Sequence, residues 1–325
     1  MSFDIEKVFS AFDQFVTTIE TTENETYLDS ITYALRAIQT EEELDLPNQE
    51  TQDRLSYLKS VFLTDKPESE SSRKVIQLAL IKGMKGSVQQ QHLITPDSVA
   101  MFIGYFLEKL VGDHKQISLL DPAVGSANLL TAVINQIQPE VQAYGSEIDP
   151  TLLQIAVESA NVQRTEVEFF HQDSLTPLLL DPVDAVVADL PVGYYPDDQQ
   201  AGHFILQAED EHAYAHHLFI EQSLNYTKEA GYVLCLIPNF LFTSDQSEKL
   251  QKYLRDHAHI LAILQLPMSM FTSEQQAKSI LVLQKQGKTT QPPKQTLMAQ
   301  LPSFKEVQKT QNILLKIDEW FQSER

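Results

Sequence analysis

The chain has 325 residues, 42% of them hydrophobic and 21% charged, a globular composition long enough for one large or two ordinary domains. No run of about 18 apolar residues predicts a membrane span, and the single cysteine excludes an internal disulfide. With 24 Lys and Arg against 45 Asp and Glu the net charge is −21, so the average field repels a phosphate backbone, and a nucleic-acid partner would need help from another subunit.

The start, Met1-Ser2-Phe3-Asp4-Ile5-Glu6, carries acids where a signal peptide is basic, and a cytoplasmic location is expected. Apolar residues then recur at helical spacing over 3–21 and again over 27–38. Residues 41–52 read as an acidic loop, 53–62 as a third helix and 65–72 as a linker. Two more helices fit 73–83 and 96–111, the second with Thr95 as its cap and Pro96 at its first position. After Gly112 the pattern changes. Seven short apolar runs, at 117–120, 142–145, 167–170, 185–188, 232–237, 260–266 and 279–283, alternate with helical patterns over 128–137, 151–162, 212–227 and 245–257. A closing helix fits 304–321. Short apolar strands between helices predict a doubly wound, mostly parallel α/β sheet covered on both faces. The expected division is a helical domain over 1–112 and an α/β domain over 113–325. Cys235, inside the run 232–237, reads as a buried core thiol.

The chemistry-bearing residues fall at the ends of the first four strands, where ligands bind in such sheets. The first strand ends in Asp121-Pro122-Ala123-Val124-Gly125-Ser126-Ala127-Asn128. Its small residues let backbone approach a ligand closely. The single glycine and the preceding acid do not fit a dinucleotide, and Asp121 suits the ammonium end of an amino-acid ligand. A turn that binds nothing is the plain alternative. The second strand ends in Glu147-Ile148-Asp149-Pro150, where an acid grips a ribose diol. The third leads into Asp173-Ser174, where Asp173 can accept from an adenine amino group or cap a turn. The fourth ends in Asp189-Leu190-Pro191-Val192-Gly193-Tyr194-Tyr195-Pro196. A carboxylate, a carbonyl and an aromatic ring at one sheet edge can hold a flat base that carries an amino group.

This ordered set resembles the gamma-type adenine-N6 DNA methyltransferases, similar to the modification subunits of type I restriction systems. Across the whole chain it is similar to the stand-alone YtxK-like proteins of Gram-positive bacteria. The family's D-P-A-C-G-S-G motif is matched by Asp121 to Ala127, and its N/D-P-P-Y/F motif by Asp189-Leu190-Pro191-Val192. A Thr-Pro element ahead of the glycine motif is matched by Thr95-Pro96. The resemblance spans about residues 73–285. It implies a seven-stranded Rossmann-like methyltransferase sheet behind a helical N-terminal domain, and S-adenosylmethionine as cofactor. It implies cofactor contacts at Thr95, Asp121, Ala123, Gly125, Asn128, Glu147, Ile148, Asp173, Ser174 and Asp189. It places methyl transfer to an amino nitrogen at Asp189, Leu190, Pro191 and Tyr194.

Three positions depart from the family pattern. Ala127 stands at the second glycine, Leu190 at the first proline and Val192 at the aromatic, which leaves Tyr194 or Tyr195 to stack on a base. No target-recognition domain is obvious in the sequence, so nucleic acid is expected to be met through a separate recognition subunit. A homodimer is a further expected arrangement. The same departures fit a degenerate methyltransferase that binds the cofactor as a sensor or protein-interaction module. Methylation of a side-chain amide is a third reading. His212 and His216 would share a face of the predicted helix 212–227, near Glu209, Asp210 and Glu211, but no metal site is expected. The polar segment 197–211 reads as a lid or substrate loop.

Overall fold

The computed structural model describes residues 4–41, 44–63, 69–85, 94–209 and 212–324. The elements run α1 (Ile5–Glu23), α2 (Tyr27–Gln39), α3 (Gln49–Phe62), α4 (Ser69–Lys85), α5 (Asp97–Val111), β1 (Gln116–Asp121), α6 (Asn128–Ile134), β2 (Glu140–Glu147), α7 (Pro150–Gln163) and β3 (Val167–His171). Then follow β4 (Val183–Asp189), α8 (Asp198–Ala201), α9 (Ala215–Asn225), β5 (Thr227–Pro238), α10 (Ser247–His257), β6 (Ala258–Gln265), β7 (Lys278–Lys285), β8 (Leu297–Gln300) and α11 (Val307–Glu324). By internal packing the chain forms two compact units. One comprises Met1–Ala100, Val124–Gln136 and Gly145–His171, the other Met101–Ala123, Ile137–Tyr144 and Gln172–Arg325.

In the first unit the helices begin where a short polar side chain can satisfy free N–H groups. Asp4 accepts from the Lys7 N–H at 3.1 Å, Asn48 from Thr51 at 2.9 Å, and Asp149 from Thr151 and Leu152 at 2.9 and 3.0 Å. Their apolar faces close on one core. Phe12, Phe15, Ile31, Leu35, Leu58, Phe62, Ile76 and Leu80 are buried there, together with Ile155 and Val162 of α7. Each such side chain contributes about 1.5–3 kcal/mol by leaving water. The linker expected over 65–72 lies partly outside the described residues, and α4 already begins at Ser69.

The strands form one eight-stranded, mostly parallel sheet in the order β3-β2-β1-β4-β5-β7-β6-β8. β1 is parallel to β4 and β4 to β5, so Asp121 and Asp189 end neighbouring strands at the same edge. The order turns back at β1, which lies between β2 and β4, the switch point where open α/β sheets bind ligands. β7 runs antiparallel to both β5 and β6.

Several boundaries differ from the sequence expectation. The eighth strand, β8, pairs parallel to β6 over four residues, too short for an apolar run to mark it. Pro96 is a flanking residue whose carbonyl accepts from Val99 and Ala100 at 2.9 and 3.0 Å, so the cap lies one residue beyond Thr95. The helix expected from His212 begins at Ala215, whose N–H is taken by the Gly193 carbonyl at 2.9 Å. Among the described residues no helix is long and apolar enough to cross a membrane.

Candidate functional site

Within the first unit the glycine turn and the end of β2 are built together. Gly125 has φ +54° and Ala127 φ +62°, the left-handed region that costs a residue with a Cβ about 1–2 kcal/mol. Gly125 therefore meets its turn without strain, whereas Ala127 carries some. Among the described residues, a Cβ placed on Gly125 would meet no atom within 4 Å, so they leave the space beside its backbone open. The Gly125 N–H donates to Glu147 Oε2 at 2.9 Å. The other oxygen, Oε1, accepts from the Ile148 and Asp149 N–H groups at 3.0 and 2.9 Å. Glu147 is thus fixed by three backbone donors while Oε2 retains acceptor capacity. Beside it Ile148 is 63% exposed, an apolar surface facing outward. Asn128, the first residue of α6, is buried, and its Nδ2 donates to the Thr95 carbonyl at 3.0 Å.

The other candidates lie in the second unit. Asp121 is 1% exposed, and its Oδ1 accepts from the Ala123 N–H at 3.1 Å. Ser174 is buried and donates to the Pro122 carbonyl at 2.5 Å, which locks the loop after β3 to the end of β1. Asp173 uses one oxygen on the Leu175 N–H at 2.9 Å and the other on the Tyr195 hydroxyl at 2.5 Å. It is therefore a turn residue whatever else it binds. Burial and the bond to Asp173 push the Tyr195 phenol up.

The Asp189 stretch is divided between core and surface. Leu190 is buried, with its N–H 3.4 Å from the Leu236 carbonyl. Val192 and Tyr194 are exposed. Of the two tyrosines, Tyr195 faces inward to Asp173, and Tyr194 stacks on Tyr214 with ring centroids 4.8 Å apart and planes 12° apart. Tyr214 donates to Asp245 at 3.0 Å. Asp189 itself carries a partner that sequence reasoning missed, Lys278, whose Nζ lies 2.5 Å from Oδ1. Lys278 opens β7, 89 positions away, and only the strand register brings it there. Arg73 was missed in the same way. It donates to Asn128 Oδ1 at 2.6 Å across the chain.

The histidine pair is corrected. His212 precedes α9, is exposed and bonds Asp198 at 2.8 Å, whereas His216 is buried in the first turn of α9. The two do not share a helix face. Asp210 and Glu211 lie outside the described residues. Among the described residues no group of three or more His, Cys, Asp and Glu converges as a metal site would require. The described part of the expected lid, 197–209, is anchored where Glu221 of α9 accepts from the Ile205 and Leu206 N–H groups, both at 2.8 Å. Cys235 is buried, and burial pushes its thiol up, followed by the charge of Asp189, so no thiolate is available as a nucleophile.

Comparison with known proteins agrees with this arrangement. Residues 85–322 match the family model of the N-6 DNA methylases, and residues 6–84 match the YtxK N-terminal helical domain. YtxK of Bacillus subtilis (strain 168) is 46% identical over 259 residues, 79% of this chain and 79% of that protein. A crystal structure from Listeria monocytogenes, described as a candidate class I S-adenosylmethionine-dependent methyltransferase, superposes with a TM-score of 0.87 at 37% identity. It covers 98% of both chains. The methyltransferase subunit of a type I restriction-modification system from Streptococcus thermophilus shares the fold, with a TM-score of 0.64 at 15% identity over 95% of this chain and 74% of that one. The sheet order, the glycine turn at its switch point and these matches together assign the chain to the N-6 DNA methylase family, with a YtxK-type helical domain at its N-terminal side.

Proposed function

We propose that the chain is an S-adenosylmethionine-dependent N-methyltransferase that acts on the adenine amino group of DNA or another nucleic acid. The observation that carries the reading is the open space beside Gly125, next to a carboxylate held by the same turn. A backbone without a Cβ there, an acid for ribose hydroxyls and an exposed apolar Ile148 suit a nucleoside with an amino-acid tail. Glu147 would hold the ribose and Ile148 would pack on the adenine. Asp121 and the Thr95 segment would hold the methionine end, with Asp173 near the adenine amino group. Bound S-adenosylmethionine supplies a sulfonium methyl group already activated for transfer.

The protein's task is then positioning, which alone can lower a barrier by about 7–11 kcal/mol in the best oriented cases. Asp189 and the Leu190 carbonyl accept hydrogen bonds from the acceptor's amino group and raise electron density on its nitrogen. The exposed ring of Tyr194 offers a stacking surface for a base, worth about 1–3 kcal/mol. Pro191 stiffens the turn between them. The division into a helical part, 1–112, and a methyltransferase part, 113–325, goes with this reading. With a net charge of −21, nucleic acid is reached through a separate basic recognition subunit in the cytoplasm, or as a homodimer with such a partner.

One observation favours a second reading, a cofactor-binding sensor or interaction module without turnover. The Lys278 ammonium already occupies Asp189 Oδ1, and it sets a positive charge beside a nitrogen that must itself become positive during transfer. The test begins with calorimetric titration of S-adenosylmethionine into wild type and Asp121→Ala. Micromolar binding that the variant weakens supports the cofactor site. A methyl-transfer screen with Asp189→Ala as control then separates enzyme from sensor. Folded wild type that binds nothing near millimolar cofactor sinks both.

A further inference from the structure

Arg73 of α4 lies within the stretch that matches the helical N-terminal domain, and it is 3% exposed. Its Nε and Nη2 donate to the two oxygens of Glu70 at 2.8 and 2.6 Å. Its Nη1 donates to Asp97 Oδ1 at 2.9 Å and to Asn128 Oδ1 at 2.6 Å. Asn128 is the first residue of α6, directly after the glycine turn. Helix α6 has no side-chain cap bond, and its flanking residue is the left-handed Ala127. The far end of α6 is tied to the same helix. Ser69 donates to Asn135 Oδ1 at 3.0 Å, and Asn135 Nδ2 reaches Glu70 at 3.5 Å. Gln77, one turn beyond Arg73, is 3.5 Å from the Thr95 carbonyl that Asn128 also bonds.

One face of α4 thus holds both ends of α6 and the Thr95 segment. Such a surplus of contacts is what keeps a turn with two departures to positive φ in place. A guanidinium is the side chain for this position, because its planar fork binds a carboxylate with two bonds and still presents a donor to other oxygens.

We propose that Arg73 is a positioning residue of the cofactor site. It acts through Asn128 to hold the turn from Gly125 to Asn128, which makes the helical N-terminal part a component of that site. The inference rests on the cofactor reading above. Without Arg73 the Asn128 amide loses its donor, the first turn of α6 loosens, and Gly125 no longer presents its backbone at a fixed place.

The test uses the full chain, titrated with S-adenosylmethionine well below the unfolding midpoint of each variant. Amide exchange of residues 125–131 is measured without cofactor. Arg73→Met should bind at least about tenfold more weakly than wild type, with faster exchange in the turn, and Arg73→Lys should fall between. Arg73→Met combined with Asn128→Ala should bind no more weakly than Asn128→Ala alone. Arg54→Met, which removes the surface pair with Glu50, should bind as wild type does. A purely structural Arg73 would lower the midpoint and leave affinity and turn exchange unchanged, and that result overturns the proposal. Additive losses in the double variant overturn the route through Asn128. Should Arg73→Met not fold, Asn128→Ala carries the test, since Arg73 keeps Glu70 and Asp97 in it. Unchanged affinity and exchange there are equally fatal. Wild type without affinity overturns the cofactor reading itself, a result distinct from a binding wild type with an indifferent Arg73.

Discussion

The ammonium of Lys278 lies 2.5 Å from Asp189 Oδ1, with side chains 19% and 17% exposed. The sheet makes this pair. Asp189 is in register with Leu236 of β5, and Lys278 with Pro238 of the same strand. Removing one member leaves a poorly solvated charge. Lys278→Met should therefore cost about 1–3 kcal/mol, below the value for a fully buried pair because water still reaches both groups. The denaturant midpoint should fall at unchanged slope. Asp189→Asn added to Lys278→Met should restore part of the loss, with a coupling of at least about 1 kcal/mol. Independent, additive losses would mean that the pair contributes nothing to stability.

Glu147 supports its turn before it supports any ligand. Its carboxylate accepts from Gly125, Ile148 and Asp149. Hydrogen bonds to a charged group contribute about 1.5–3 kcal/mol each, less where water can replace them. Glu147→Ala should thus lower the unfolding free energy of the cofactor-free protein by about 2–4 kcal/mol. Asp121→Asn, which keeps an Oδ1 acceptor for the Ala123 N–H, should cost less. Denaturation of both variants without ligand separates this effect from binding. A Glu147→Ala variant as stable as wild type would show that the turn holds itself.

The candidate residues that were legible in the sequence are those whose meaning is local. Asp121, Glu147, Asp173 and Asp189 each follow a short apolar run, and a strand end can be read from four or five residues. Their partners were not legible. Lys278 meets Asp189 across 89 positions and Arg73 meets Asn128 across 55, and no periodicity encodes such a pairing. The helix start at Ala215 was misplaced because a backbone bond to Gly193, itself in a loop, decides it. Tyr194 and Tyr195 could not be told apart by residue type. The fold turns one to Tyr214 and the other to Asp173.

His216 and His217 make stability depend on acid. They are 0% and 1% exposed, and among the described residues neither nitrogen of His216 nor Nε2 of His217 has a hydrogen-bond partner. Burial, then the charges of His217 and Lys278, holds His216 down to about 3. Burial holds His217 down to about 4 against the opposing pull of Asp245. In the unfolded chain both titrate near 6.5. Between that value and the folded ones the unfolded chain binds more protons. Stability is therefore complete above about pH 6.5 and falls as pH drops toward 4, by about 1.4 kcal/mol per pH unit for each ring at most. His216→Phe should lose one ring's share of this slope when urea midpoints are compared near pH 7 and pH 4.5, roughly the two ends of the window. At neutral pH it should cost little, since a ring without a hydrogen bond among the described residues is exchanged for an apolar one. A slope identical to wild type would mean that His216 is already protonated in the folded state.

Gly125 separates strain from ligand contact. At φ +54° a methyl group costs about 1–2 kcal/mol through the backbone alone, yet it would touch no atom of the described residues within 4 Å. Gly125→Ala should therefore remain folded, with a midpoint lowered by that amount. Its methyl group would stand in the open space that the proposed cofactor needs, and affinity for S-adenosylmethionine should fall by at least about tenfold. Gly193→Ala supplies the control. Gly193 also has positive φ, +138°, and among the described residues a Cβ there would meet no atom within 4 Å, but it lies in the acceptor stretch after Asp189. That variant should lose at least as much stability, since φ +138° lies outside the left-handed well, and keep the cofactor affinity. If both variants bind as wild type does, the ligand does not sit over the glycine turn. If both bind weakly, strain transmitted through the backbone is the cause, and the cradle at Gly125 loses its special place.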